Sequence, residues 1–140
     1  MKGVSAPVTI RLGAEVMKAV QAKATRAGRS RSEMMAELVR LGLDVLRYPG
    51  ITFVEGPAGL RAHIAGSGLD VWEVIMVHRA HKGAEEATLR HLRQLSRRQL
   101  KTALAYYQDH RQEVEAILAE QAKAPGEWGY EVAVSRPARA

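Results

Sequence analysis

One short alternating stretch decides the fold of this chain: Pro7-Val8-Thr9-Ile10-Arg11-Leu12. Apolar and polar side chains alternate strictly from Val8 to Leu12, and β-branched residues are well represented. This pattern predicts a strand with one apolar and one polar face, which Gly13 ends. A lone strand has two open edges, so the segment requires a second strand to pair with.

Two helices are predicted after the strand. Residues 14–27 have a helical composition, and Gly28 supplies the stop. A second helix start is indicated by Ser30-Arg31-Ser32-Glu33, because a serine oxygen can cap free amides while Glu33 lies in the first turn. The second helix should run to about Leu46, before Tyr48-Pro49-Gly50 breaks it. Its apolar stripe is predicted to contain Met35, Leu38, Val39, Gly42 and Leu46.

A strand and two helices in about 45 residues bury too little surface to enclose a core. Two copies solve this problem when their strands pair antiparallel and their helices interlock. We therefore predict an obligate homodimer.

These residues resemble a known family. The strand, the helix after it and Gly28-Arg29-Ser30-Arg31-Ser32-Glu33-Met34 are similar to the ribbon-helix-helix DNA-binding superfamily of the Arc, MetJ and CopG type. The resemblance covers roughly residues 5–47. It implies that residues 1–47 form a module that dimerises through its strand and binds DNA.

A second domain is predicted over residues 50–123. Residues 51–54 and 61–64 form a β-hairpin around the turn at 55–59, and Asp70 caps a helix that Gly83 ends. A short helix from Glu85 to about Leu92 precedes a long one, which Ser96 caps and which runs to about Lys123. Residues 124–140 are predicted to be a flexible tail. The fold class is mainly α with short β: a ribbon-helix-helix module, then a small hairpin and a helical, helix-turn-helix-like domain.

The second domain also carries a resemblance. Its residues are Ile64-Ala65-Gly66-Ser67-Gly68-Leu69-Asp70-Val71-Trp72, then Leu95-Ser96 followed by Gln99-Leu100 and Ala103-Leu104-Ala105-Tyr106-Tyr107, and finally Glu113-Val114. Over residues 50–122 they are similar to a helix-turn-helix-like domain of VapB-type antitoxins. That resemblance implies a PIN-type ribonuclease toxin as a partner and repression of the protein's own operon.

Candidate base-contacting residues lie on the polar face of the strand. If Val8, Ile10 and Leu12 face the helices of a paired ribbon, then Pro7, Thr9 and Arg11 project outward. A two-stranded ribbon fits the DNA major groove, where arginine can bond guanine O6 and N7 and threonine can contact a thymine methyl group. The alternative is a solvated strand face.

Candidate phosphate-contacting residues open the second helix. Ser30, Arg31 and Ser32 lie where free amides and the positive end of the helix dipole suit a phosphate, and Arg29 adds charge. Plain helix capping is the alternative, and both roles can hold together.

A second basic cluster consists of Arg90, Arg93, Arg97, Arg98 and Lys101. Arg97, Arg98 and Lys101 open the predicted long helix and are candidates for a second DNA contact. A solvated helix face explains them as well.

No catalytic, metal or cofactor site is predicted. The chain has no cysteine, which excludes disulfides and thiolate metal sites. His78 and His81 are three residues apart, but the sequence offers no clear third ligand, so they are interpreted as surface or interface histidines. The glycine spacings match no phosphate loop. We therefore predict that the protein is not an enzyme.

Charge agrees with a polyanionic partner. The net charge is +6, and the first 47 residues hold nine of the 21 Lys and Arg residues but only four of the 15 Asp and Glu residues. No apolar run suffices for a membrane helix and no leader pattern opens the chain, so we expect a cytoplasmic protein without a membrane partner.

The sequence thus predicts a homodimeric, sequence-specific transcription regulator that binds double-stranded DNA, with an antitoxin that represses its own operon as the finer hypothesis. Two alternatives remain. One is a protein-interaction module in which the ribbon only dimerises. The other is a plasmid-maintenance or chromosome-organising protein that binds DNA repeats.

Overall fold

The computed structural model describes residues 5–56 and 59–123 of the 140-residue chain. The predicted tail at 124–140 lies outside these ranges. Within them the elements are α1 (Ala14–Ala27), α2 (Arg31–Arg47), β1 (Ile51–Gly56), β2 (Gly59–Ile64), β3 (Leu69–Asp70), α3 (Val71–Ala80), α4 (Glu85–His91), α5 (Arg97–Asp109) and α6 (Arg111–Gln121). The chain divides into two compact units, the first ending at Asp44 and the second beginning at Val45.

The turn between α1 and α2 confirms the predicted stop and start signals. Gly28 adopts a left-handed conformation with φ of 63°, which glycine enters without strain. The N–H groups of Gly28 and Arg29 donate to the carbonyls of Thr25 and Ala24 at 3.2 and 3.0 Å. Ser30 then caps α2, because its hydroxyl accepts the N–H of Glu33 at 3.1 Å.

The first unit has a small core. Val20, Ala24 and Met34 are buried together, with Met35 and Leu38 partly buried against them. The predicted apolar stripe differs from the observed buried face of α2, since Val39 and Leu46 are 59% and 79% exposed. A single neighbouring helix can cover only one side of α2, and much of the apolar surface therefore remains outside.

The second unit opens with the predicted hairpin. β1 and β2 pair antiparallel, with Ile51 opposite Ile64 and Phe53 opposite Ala62. The third strand was not predicted, because its two residues are too few to show alternation. β3 pairs antiparallel with the free edge of β2 and leads directly into α3.

Asp70 joins the sheet to α3. Its carboxylate accepts the Trp72 indole N–H at 3.0 Å and lies 2.8 Å from Nδ1 of His63 and 3.0 Å from Nε of Arg61. It also forms the capping box of α3 with Glu73, as predicted for the cap. Although Asp70 is 5% exposed, these partners compensate for the burial of its charge.

The residues around Asp70 have structural roles. The Ser67 hydroxyl donates to the carbonyl of Ile64 at 2.7 Å and accepts the N–H of Leu69 at 3.0 Å. These two bonds hold the loop that returns the chain to the edge of β2.

The helix α3 ends at Ala80, three residues before the predicted stop at Gly83. Gly83 follows the turn after α3 and has a φ of 76°.

The predicted long helix from Ser96 to about Lys123 is wrong, because it is two helices. His110 separates α5 from α6 with non-helical angles of φ −124° and ψ 39°. Its ring stacks on Tyr106 with centroids 4.2 Å apart. An unbroken helix over 97–121 would be about 37 Å long. The break instead brings Val114 into the core at 2% exposure.

The core of the second unit surrounds α3. It contains Tyr48, Ile51, Ala62, Ile64, Leu69, Val71, Val74, Ile75, Val77, Leu92, Leu95, Leu100, Ala103, Tyr106 and Val114. No helix in the described part of the chain is both long and apolar enough to cross a membrane.

Candidate nucleic-acid interface

The segment before α1 carries the predicted base-contacting residues. Residues 5–13 form neither a helix nor a paired strand within the single chain. A strand that pairs only with a second copy has no ladder hydrogen bonds inside one copy. Pro7, Thr9 and Arg11 are all exposed, and Arg11 forms no ion pair with any described residue. Their side chains are therefore accessible to a ligand.

The opposite side of the same segment is apolar and uncovered in one copy. Val8 is 80% exposed and Ile10 is 54% exposed, whereas Leu12 is half-buried. The prediction that these three side chains face helices concerns the paired ribbon and stays a prediction.

The start of α2 is held by charged side chains. Arg29 forms a hydrogen-bonded ion pair with Glu37 and lies 3.7 Å from Glu33. Both carboxylates belong to α2, so Arg29 stabilises the turn between α1 and α2 by bonding to the helix that follows it. The predicted phosphate contact of Arg29 would require this guanidinium to serve two partners.

Hydrogen bonds from Ser30 lower the pKa of Glu33 below its usual 4.5, since the side chain and backbone of Ser30 both donate to the ionised form, and Arg29 adds its positive charge. The bonds between Ser30 and Glu33 therefore favour the ionised carboxylate. Capping at Ser30 is thus present, as the sequence predicts.

Arg31 and Ser32 differ from Arg29 in their surroundings. Both are exposed in the first turn of α2, and Arg31 forms no ion pair with a described residue. Arg31 is therefore the cation at this helix start that remains available to a phosphate.

The basic cluster of the second unit is divided by one ion-pair network. Arg97 hydrogen-bonds to Glu85 and, at 2.6 Å, to Glu86. Arg98 and Lys101 are exposed and form no ion pair with a described residue. Of the three residues predicted as a second DNA contact, Arg97 is thus engaged within the protein and the other two are accessible.

Titration of Glu86 should report the bond to Arg97. Hydrogen bonding and charge from Arg97 lower the pKa of Glu86 below its usual 4.5. We expect the Glu86 carboxyl to titrate below 4.5 in an NMR pH series, and Arg97→Gln to raise that midpoint. A lowered folded-state pKa means that the stabilising contribution is present above the unfolded-state pKa and is lost as the pH falls through the folded value. An unchanged Glu86 midpoint in Arg97→Gln would show that the pair does not persist in solution.

The histidines do not assemble a metal site. His78 bonds through Nδ1 to the Thr88 hydroxyl at 2.8 Å, while Nε2 of His81 lies 3.0 Å from Nδ1 of His91. His78 and His81, which are three residues apart in sequence, therefore have different partners. Within residues 5–56 and 59–123, no group of three or more potential ligands is placed to hold a metal ion.

Two features of the interface escaped the sequence analysis. The i,i+4 spacing of Arg29 and Glu33 could have indicated their pairing. The bonds from Arg97 to Glu85 and Glu86 span a turn between two helices, and no local pattern reports such contacts. Sequence reasoning therefore grouped Arg97 with Arg98 and Lys101, although their environments differ.

Comparison with known families gives a match in the first unit. Residues 6–44 match the family model described as ribbon-helix-helix protein, copG family. The resemblance predicted for the first module is confirmed, whereas the VapB-type resemblance of residues 50–122 is not. Neither the curated proteins nor the solved structures gave a match.

Proposed function

Because residues 6–44 belong to the copG-type ribbon-helix-helix family, we propose that this protein is a homodimeric transcription regulator that binds DNA in a sequence-specific manner. Proteins of this family dimerise and bind DNA. The proposal extends that role to this chain and assigns its contacts.

The observation that carries the proposal is the mismatch between core and surface in the first unit. Its buried apolar side chains are few: Val20, Ala24 and Met34 in one cluster, and Leu41 outside that cluster. Its exposed large apolar residues are more numerous: Val8, Ile10, Val16, Val39 and Leu43. So small a core is too little to stabilise an independent fold, and exposed apolar surface of this kind marks an interface. A second copy supplies matching apolar surface and also an edge for the unpaired strand.

We assign the contacts to the DNA bases to the polar side of the proposed ribbon. Arg11 and Thr9 are exposed next to one another on a segment whose apolar residues would be covered by dimerisation. In the major groove, arginine can discriminate guanine through two bonds, while Pro7 and Thr9 offer apolar contact to thymine methyl groups.

We assign the contacts to the DNA phosphate backbone to the start of α2. The exposed side chains of Arg31 and Ser32 adjoin the free amides of the first helical turn, a setting suited to phosphate. Ser30 keeps its capping bond in this arrangement. Arg29 contributes positive potential from within its pairs with Glu33 and Glu37.

The finer part of the proposal is that the regulator is an antitoxin that binds a PIN-type ribonuclease and represses its own operon. It rests on the sequence resemblance of residues 50–122 to VapB-type antitoxins, which the family comparison does not confirm. A small ribonuclease-like reading frame overlapping this one would support it. If no toxin-like reading frame adjoins this one, the protein regulates another operon.

Sedimentation and DNA binding test the main proposal. We expect the full chain to be a dimer at low micromolar concentration and to bind a fragment upstream of its own reading frame with strong salt dependence. A folded monomer would overturn the ribbon. A dimer with no salt-dependent DNA binding would favour the protein-interaction module, and cooperative spreading on tandem sites would favour a chromosome-organising protein.

A further inference from the structure

The turn between α4 and α5 presents a rigid surface in the second unit. Leu92 and Leu95 are buried within that turn, at 7% and 6% exposure. On α5 itself, Leu100 and Ala103 are fully buried, and Tyr106 is 1% exposed. One face of α5 is thus fixed in the core, and the opposite face points to solvent in a defined orientation.

The solvent-facing side of α5 contains Arg98, Lys101, Ala105 and Gln108, all exposed. Their spacing places them along one side of the helix. Arg93, in the turn just before α5, is exposed as well. We call Arg93, Arg98 and Lys101 the α5 basic surface.

The α5 basic surface has no internal counter-charge. Glu85 and Glu86 on α4 are both bonded to Arg97, and Asp109 at the end of α5 accepts the hydroxyl of Tyr48. None of these three cations lies within ion-pairing distance of a described carboxylate. Arg97 therefore neutralises Glu85 and Glu86, and the α5 basic surface remains available to an external anion.

We propose that the α5 basic surface is a second DNA-backbone contact, which binds phosphates independently of sequence. The inference rests on the proposed function, because the first unit brings the chain to DNA. A protein partner fits this surface less well, since protein interfaces are anchored by large apolar or aromatic side chains and the exposed side of α5 offers only Ala105.

The connection between the units favours simultaneous contact. The first unit ends at Asp44 and the second begins at Val45, so no linker separates them in the chain. Once the first unit is bound, such a short connection keeps the α5 basic surface at high effective concentration near the same duplex. Even weak phosphate contacts then contribute to affinity.

The salt dependence of DNA binding tests the inference on the full chain. The double variant Arg98→Gln, Lys101→Gln removes two charges but keeps helix-forming residues. On a random-sequence duplex, the slope of log affinity against log salt should fall by up to about 3.6 units, because each dimer loses four phosphate contacts and each contact accounts for about 0.9. Arg98→Lys should retain nearly the parental slope, since a point charge suffices for a phosphate.

A matched control removes the same charge elsewhere in the second unit. Arg111 lies over the Tyr107 ring at 5.2 Å, and Lys123 pairs with Glu120 at 2.8 Å. The variant Arg111→Gln, Lys123→Gln should leave the slope unchanged. Circular dichroism must first show that every variant is folded.

The outcomes separate this inference from the proposed function. If the parental chain binds DNA and Arg98→Gln, Lys101→Gln keeps its slope, the α5 contact is overturned alone, and an acidic protein becomes the better partner for the surface. Equal losses in the control would assign the effect to net charge and would also overturn it. If the slope falls as expected but Arg11→Ala does not alter base preference, reading by the ribbon fails while the α5 contact stands.

Discussion

Replacing Ile10 by lysine should convert the protein from a dimer to a monomer at low micromolar concentration and abolish specific DNA binding. Ile10 is 54% exposed in one copy and lies on the apolar side of the segment that we propose to pair. Burial of the exposed half of each Ile10 contributes about 1 kcal/mol, and each dimer has two copies, so loss of this burial alone should raise the dissociation constant by about 30-fold. A buried lysine charge raises it further. Sedimentation velocity across a concentration series measures the shift.

The neighbouring residue supplies the control. Thr9 is also exposed but belongs to the polar side of the alternation. Thr9→Lys adds the same charge to the same strand and should leave the dimer intact. If both variants sediment as dimers, or if both become monomers, the assignment of the two faces is wrong.

Arg11 and Arg31 should separate reading of sequence from holding of the backbone. Arg11→Ala should weaken binding to the specific operator by roughly 1 to 3 kcal/mol and affect unrelated DNA much less, because base contacts carry the sequence information. Arg31→Ala should weaken both DNAs about equally and reduce the salt slope by about 1.8 units, since each dimer loses two phosphate contacts.

Both variants need to be measured on both DNAs over a salt series, after circular dichroism confirms folding. An Arg11→Ala variant that loses the same affinity on both DNAs would show that the ribbon does not read bases. If it changes neither, Arg11 is a solvated residue, and Arg98 and Lys101 become the better candidates for the main DNA contact.

Local signals made most of the fold predictable. Gly28 and Ser30 mark the end of one helix and the start of the next because backbone conformation and capping depend on neighbouring residues. The same holds for the hairpin and for Asp70 as a cap. The break at His110 was not predictable in this way, since no proline or glycine is present there, and its ring stacks on Tyr106 in the preceding turn and contacts Tyr48, which is distant in sequence.

The candidate site was predictable in residue type but not in environment. Alternation distinguishes the polar Thr9 and Arg11 from the apolar Val8 and Ile10, but the proposed ribbon would form between two chains and no single chain can contain it. For the cations, sequence gives the charge but not its partner. Arg29 and Arg97 are bonded to carboxylates, whereas Arg31 and Arg98 lack such pairs with described residues, and this difference comes from side-chain geometry across turns.

The three-residue core of the first unit ties gene dosage to activity. A unit that completes its core only with a second copy is stabilised by mass action, so its melting temperature should rise with protein concentration. Below the dimer dissociation constant, the amount of dimer grows with the square of the chain concentration. Occupancy of a promoter would then respond more steeply to changes in expression than a monomeric regulator allows, and proteolysis of excess monomer would sharpen the response further.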